Sequence, residues 1–294
     1  MHIQLSQVLS DSMGETGMAI IRAIVAGERD GVKLAHWRDY RCQSSQETIA
    51  QALTGTWKAD HLFALKQSLE LYDFYTHQVA SCDAHIQQHY STMRPRWEPD
   101  PVNALPALDM LPRKMKNTND PASPVRSDII RLTGIDMAAV IGIGPALAQI
   151  ILSEIGTDRN QWPTAKHFAS WCGVAPHNDI SGGKVLRSRT CASHNRAGQA
   201  FRQAATSVSH STSAFGAFYR RKRAQAGPLF AQVATANKIA RTVYYMLKYH
   251  VQFEGIGAEE FERKHRERDI VALRHKAAKL GFTLVEPAPA QPAV

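Results

Sequence analysis

The chain has 294 residues, 44% hydrophobic and 21% charged, with a formal net charge of +9. That length and apolar content suit an ordinary soluble protein of one large domain or two modest ones, with ample core. Residues 1–30 lack a basic n-region, apolar core and cleavage site, so secretion is not expected. The most apolar stretch, Ile135 to Leu152, is interrupted by Asp136, Gly142, Gly144 and Pro145 and is too broken to span a bilayer. Cys42, Cys82, Cys172 and Cys191 form no CxxC pair, which fits free thiols and a cytoplasmic location.

Charge is concentrated in one half. Residues 1–124 hold 12 Lys or Arg against 14 Asp or Glu, and residues 125–294 hold 23 against 12. Between Lys166 and His250 there are thirteen basic residues and one acid, Asp179. Such a stretch needs an anionic partner to offset its self-repulsion, and a nucleic-acid backbone is the commonest one.

In chain order, residues 1–92 read as a helical and coiled-coil region. Gly14 to Ala26 carries apolar residues at helical spacing. Ser44-Ser45-Gln46-Glu47 has the pattern of a capping box opening a short helix to Leu53. Asp60 is positioned to cap a long helix to about Tyr90, whose Leu62, Leu65, Leu69, Tyr72, Val79 and Ile86 recur at coiled-coil spacing. Seven of the 14 prolines fall between Pro95 and Pro124, so residues 93–124 read as a linker. Helices return over Ser127–Leu132, Pro145–Glu154, Thr164–Trp171, Asn195–Ser213, Leu229–Tyr249 and Ala258–Leu280. Residues 173–191 read as an exposed loop or small hairpin, Phe282–Val285 as at most one edge strand, and 286–294 as a disordered tail. The expectation is a mainly α fold with a second domain over 125–285.

Four constellations could carry chemistry. Ile141-Gly142-Ile143-Gly144-Pro145 feeds a helix N-terminus like the turn of a helix-hairpin-helix element, where Gly142 and Gly144 would let backbone approach a phosphate; a plain interhelical turn is the alternative. Asp179-Ile180-Ser181-Gly182-Gly183-Lys184 places a hydroxyl beside two glycines and a lysine, followed by Arg187, Arg189 and Arg196. Ser181 could attack a phosphodiester while those cations stabilise its pentavalent transition state; a simple turn is the alternative. Cys172-x4-His177 and Cys191-x2-His194 are too irregular to expect zinc, and no metal site is assigned. Arg220-Arg221-Lys222-Arg223 follows Phe215, Phe218 and Tyr219, an aromatic–basic mix suited to nucleic acid. Lys238, Arg241 and Lys248 extend that basic character along the next helix, while Phe230, Val233, Val243 and Leu247 would face the core.

Taken together, the Gly-Ile-Gly-Pro helix, His-Phe-Ala-Ser-Trp-Cys-Gly-Val-Ala-Pro (167–176), Ile-Ser-Gly-Gly-Lys (180–184) and Arg-Ala-Gly (196–198) resemble the C-terminal serine domain of a bacterial insertion-sequence transposase family. Its members have an N-terminal RuvC-like DEDD domain, are related to Piv-type invertases, and include bridge-RNA-guided recombinases. The stretch from Thr16-Gly17-Met18 to Arg29-Asp30 and the 62–90 helix are similar to that family's middle region. The resemblance implies transposition or site-specific recombination of DNA, with Ser181 as nucleophile and Ser188 or Ser193 as alternatives. It implies DNA as partner, with a guide (bridge) RNA, a homo-oligomer or a full-length transposase as further partners. The family's Mg2+-binding carboxylates lie upstream of everything matched, so Mg2+ is expected only with an acidic domain that this chain reads as lacking. A non-catalytic nucleic-acid-binding remnant or regulator is the rival reading, and a zinc-stabilised binding module is a third.

Overall fold

The computed structural model describes residues 3–95, 97, 124–158, 160–190 and 195–284. Most of the expected linker, Cys191, Ser193, His194 and the 286–294 tail lie outside the described residues. The described fold is mainly helical, and the chain divides into two compact units, Met1–His85 and Ile86–Val294.

The first unit holds four short helices, α1 (Leu5–Val8), α2 (Glu15–Val25), α3 (Gly31–Ala35) and α4 (Gln46–Ala52), and the long α5 (Ala59–Thr92) as far as His85, the rest of α5 counting with the second unit. Leu9, Ile20, Ile24, Leu34, Ala35, Ile49 and Leu53 form the core of the first unit. The capping box falls one residue later than the sequence pattern placed it: Ser45 is the N-cap and accepts from the Thr48 N–H at 3.2 Å, leaving Glu47 in the first turn. Asp60 likewise lies inside the first turn of α5 rather than at its cap. There its charge favours the positive end of the helix dipole. Leu62 and Leu65 pack on this core, whereas Tyr72, Val79 and Ile86 are exposed.

The second unit contains α6 (Val125–Thr133), a 3-10 turn at Met137–Ala139, α7 (Pro145–Ile155), α8 (Ala165–Trp171), the strands β1 (Pro176–Ser181) and β2 (Lys184–Thr190), then α9 (Arg196–Ser207), α10 (Ala214–Ala226), α11 (Pro228–Tyr249) and α12 (Ala258–Lys279). Local signals set most of these bounds. Thr164 and Asn195 cap α8 and α9 with their side-chain oxygens, and Pro145 and Pro228 open α7 and α11, where a missing N–H costs nothing. α11 packs against α8, α9 and α10, α7 against α9, and α10 against α12. Phe168, Phe201, Ile143, Ile151, Val174, Ile239 and Val243 make the centre of the core. The partly exposed Arg126 and the buried Asp136 form an ion pair there, with Nε donating to Oδ1 at 3.1 Å. Asp136 also accepts from the Ala138 N–H.

Three expectations need correction. The helix opened by Asn195 stops at Ser207, not Ser213, and residues 208–210 form a 3-10 turn. Five of the residues 206–213 are Ser or Thr beyond Ser207 itself, and their hydroxyls compete for backbone groups: Ser207 and Ser211 donate to Ala204 and Val208 carbonyls. Phe282, Thr283 and Leu284 do not form a strand, and Val285 lies outside the described residues. Phe230 does not face the core but is 49% exposed.

Candidate nucleic-acid interface

β1 and β2 form an antiparallel hairpin closed by Gly182 and Gly183. Both glycines have positive φ, 54° and 75°, the combination a two-residue hairpin turn requires and the reason side-chain-bearing residues are disfavoured there. The register pairs Ser181 with Lys184, Asp179 with Arg187 and His177 with Arg189, with an irregularity between Asp179 and Ile180. Ser181 and Lys184 are exposed at the tip. Along β1 the side chains alternate, so Ser181 shares a face with Asp179 and His177. His177 Nε2 lies 3.7 Å from Asp179 Oδ1. The Ser181 hydroxyl bonds no described residue. Ser188 pairs with Asn178.

The glycines before α7 divide in role. Gly142 has φ 94°, and a Cβ there would come 2.5 Å from Val208 Cγ1 and 2.8 Å from the Ala204 carbonyl. Its carbonyl also accepts from the Ser207 hydroxyl at 3.3 Å. Close packing against α9 therefore accounts for Gly142. Gly144, the N-cap of α7, has open space where its side chain would be. Arg196 begins α9, is exposed, and lies 3.7 Å from Glu154, an exposed pair of small energetic consequence.

The basic run on α10 separates into different tasks. Arg220 donates to the Ser209 and Ser211 carbonyls at 3.1 and 2.9 Å, closing the turn before its own helix. Arg221 lies over the rings of Phe218 and Phe261. Lys222 bonds Gln225 at 2.9 Å. Arg223 is exposed. On α11, Lys238 also lies over Phe218 and Phe261, Arg241 is exposed, and Lys248 donates to the Pro163 carbonyl at 3.0 Å. The sequence residues thus gather into two groups: Ser181, Lys184, Arg187 and Arg189 on the hairpin, and Arg221, Lys222 and Lys238 around Phe218.

Phe261 and Arg268 of α12 were missed in the sequence. The available signal was one phenylalanine inside Glu259-Glu260-Phe261-Glu262, an apolar residue in a helix otherwise suited to solvent. Cys172 is buried, and burial pushes its thiol up to about 12, which favours the protonated thiol at neutral pH. Among the described residues no cluster of His, Cys, Asp and Glu has the makings of a metal site, and no helix is long and apolar enough to cross a membrane.

No curated protein matches the chain at a significant level. Residues 137–220, from the 3-10 turn through the hairpin to Arg220, do match the family described as the transposase IS116/IS110/IS902 family. The segment that carries Ser181, Gly142 and the α9 cap is therefore similar to that of insertion-sequence transposases, enzymes that act on DNA.

Proposed function

We propose that the second unit binds DNA through its phosphates and takes part in insertion-sequence transposition, with Ser181 as the nucleophile. The observation that carries this is the exposed Ser181 hydroxyl directly across the turn from Lys184, within the matched segment. In the reaction, the Ser181 Oγ–phosphorus bond forms and the bond from phosphorus to one flanking deoxyribose oxygen breaks. That oxygen leaves as the free hydroxyl of the cut strand, taking up a proton, while the serine proton passes to a base. Lys184, with Arg187 and Arg189 on the adjoining strand, offsets charge on the phosphate as it becomes five-coordinate. Gly144 at the α7 N-terminus, Arg196, Arg223 and Arg241 add contacts to neighbouring phosphates.

Asp179, the one carboxylate on the hairpin, is two residues from Ser181 and beside His177. A single carboxylate does not fit the Mg2+ site that the family resemblance implies. Any such ion would be held by an acidic domain outside the described residues, and no step here is routed through it. The same observation favours a second reading, a non-catalytic nucleic-acid-binding regulator of a full-length transposase. A guide RNA is a further candidate partner for the same phosphate contacts.

The binding reading predicts a strong salt dependence. Affinity of the full chain for duplex DNA should fall with a log–log slope of several units, and Arg223→Gln with Arg241→Gln should flatten the slope by about one unit each. Fluorescence anisotropy across a salt series measures this. Binding indifferent to salt would overturn the phosphate reading. Self-association is the companion proposal, through the exposed Tyr72, Val79 and Ile86 positions of α5. Tyr72→Asp with Val79→Asp should then shift the chain toward monomer in sedimentation analysis; an unchanged mass distribution would remove α5 as the contact.

A further inference from the structure

Two cations in the second unit share one pair of aromatic rings. Lys238 Nζ lies 4.7 Å from the Phe218 centroid and 4.4 Å from that of Phe261. Arg221 Cζ lies 5.7 and 5.1 Å from the same two centroids. Groups that touch the same rings are necessarily neighbours. Ring faces attract cations, but they do not neutralise them. Neither Arg221 nor Lys238 has an ion pair with a described residue, and Arg221 Nη1 is buried without a hydrogen-bond partner. Burial, then Arg221, then Arg268, push the Lys238 pKa down. On α12, Glu260 and Glu267 are committed to Arg263 and Lys264, and Asp269 to His265. A partly buried pair of positive charges without a counter-charge costs stability unless something anionic joins it.

Space for that anion adjoins the pair. A cavity of about 290 Å³ is lined by Lys238, Phe261, Tyr245, Phe215 and Phe253. The lining also holds the Tyr245 hydroxyl and the Glu254 carboxylate, the latter exposed at the rim, while two other polar side chains are spent within the protein. The Thr242 hydroxyl donates to the Lys238 carbonyl at 3.1 Å, and the Gln252 amide donates to Gly134 and accepts from the Asp136 N–H. The Lys238 ammonium is the cation that lines the cavity.

We propose that the junction of α10, α11 and α12 is a binding site for one phosphate group, held by Lys238 and Arg221, with the body that carries the phosphate seated in the adjoining aromatic cavity. The site is separate in sequence from the Ser181 hairpin. It rests on the nucleic-acid reading only for the source of the phosphate, either a phosphodiester of a bound strand or a free nucleotide.

Thermal unfolding of the full chain tests it, comparing millimolar inorganic phosphate, deoxyadenosine monophosphate and a short single-stranded oligonucleotide against chloride at equal ionic strength. Phosphate should raise Tm by several degrees by binding the folded state alone. A larger shift with the mononucleotide assigns a free nucleotide as the source, and a larger one with the oligonucleotide assigns a strand. Lys238→Met keeps the apolar stem and removes the charge. It should abolish the phosphate shift while unfolding in chloride no lower than the wild type, because the like-charge contact is gone. Arg221→Gln, with the same readout, covers the case in which Lys238→Met folds poorly. Absence of any phosphate-specific shift in the wild type would overturn the site, as would a full shift retained in both variants. Loss of DNA binding with the phosphate shift intact would sink the transposase reading and leave this site standing.

Discussion

Gly198→Ala should destabilise the second unit by roughly 3 kcal/mol or more, the range of severe overpacking in a core. Intrinsic helix propensity predicts the opposite sign, since alanine is better than glycine in a helix interior by about 1 kcal/mol. The structure decides between them. A Cβ on Gly198 would stand 2.0 Å from the Cys172 carbonyl oxygen and 3.0 Å from its carbon. Both are backbone atoms, so no rotamer change relieves the overlap. Helix α9 would have to lift from the 172–174 segment, where Cys172, Val174, Ala197 and Phe201 are fully buried and Arg202 donates to the Gly173 carbonyl at 2.6 Å. Urea unfolding of wild type and variant measures the loss, with the exposed Gln199→Ala as a control expected within about 0.5 kcal/mol. A Gly198→Ala chain as stable as wild type would mean that α9 does not press on Cys172.

Ser181→Ala carries the second large effect. If Ser181 is the nucleophile, the alanine variant should give no covalent protein–DNA adduct under any condition in which the wild type gives one, including with a second insertion-sequence transposase present. Its DNA affinity should change little. One exposed hydroxyl contributes about 1 kcal/mol at most, against the multi-phosphate interface proposed for Lys184, Arg223, Arg241 and their neighbours. Denaturing electrophoresis of labelled nicked DNA reads the adduct, and anisotropy reads the binding. Adduct retained in Ser181→Ala but lost in Ser188→Ala or Ser193→Ala would move the nucleophile along the chain. Adduct formed by none of the chains, with salt-sensitive binding intact, would favour the regulator.

Legibility followed the range of the interaction that fixed each element. Thr164, Asn195 and Pro145 announce their helices because a cap or a missing N–H acts within three residues. The serine- and threonine-rich break before α10 was passed over, although Ser213 caps α10 by accepting from the Gly216 N–H at 3.2 Å. Periodicity alone had no means to separate two helices joined by a turn whose hydroxyls rather than a proline or glycine do the breaking. Gly142 and Gly198 stand in the strings that carry the family resemblance. Nothing in their local sequence says that each is pressed against another segment, Gly142 against Val208 and Gly198 against Cys172. The Arg221–Lys238 pair was even less accessible. In the sequence both residues read as part of a basic, aromatic-flanked face for nucleic acid, and the approach of Phe261, on a helix some forty residues further along the chain, is what shows them sharing one pair of rings.

The hairpin has a mechanical meaning as well as a chemical one. The six residues of β1 reach roughly 20 Å, and the two-glycine turn puts Ser181 at the far end of that length. A serine mounted in this way behaves like the tip of a lever. A twist of a few degrees where Pro176 and Thr190 enter the hairpin displaces the hydroxyl by an ångström or more, while the helices behind it need not repack. The reach and aim of Ser181 can therefore be tuned by residues at the root of the hairpin, far from its hydroxyl. Substitutions there would alter where a strand is engaged without changing how firmly the domain is folded.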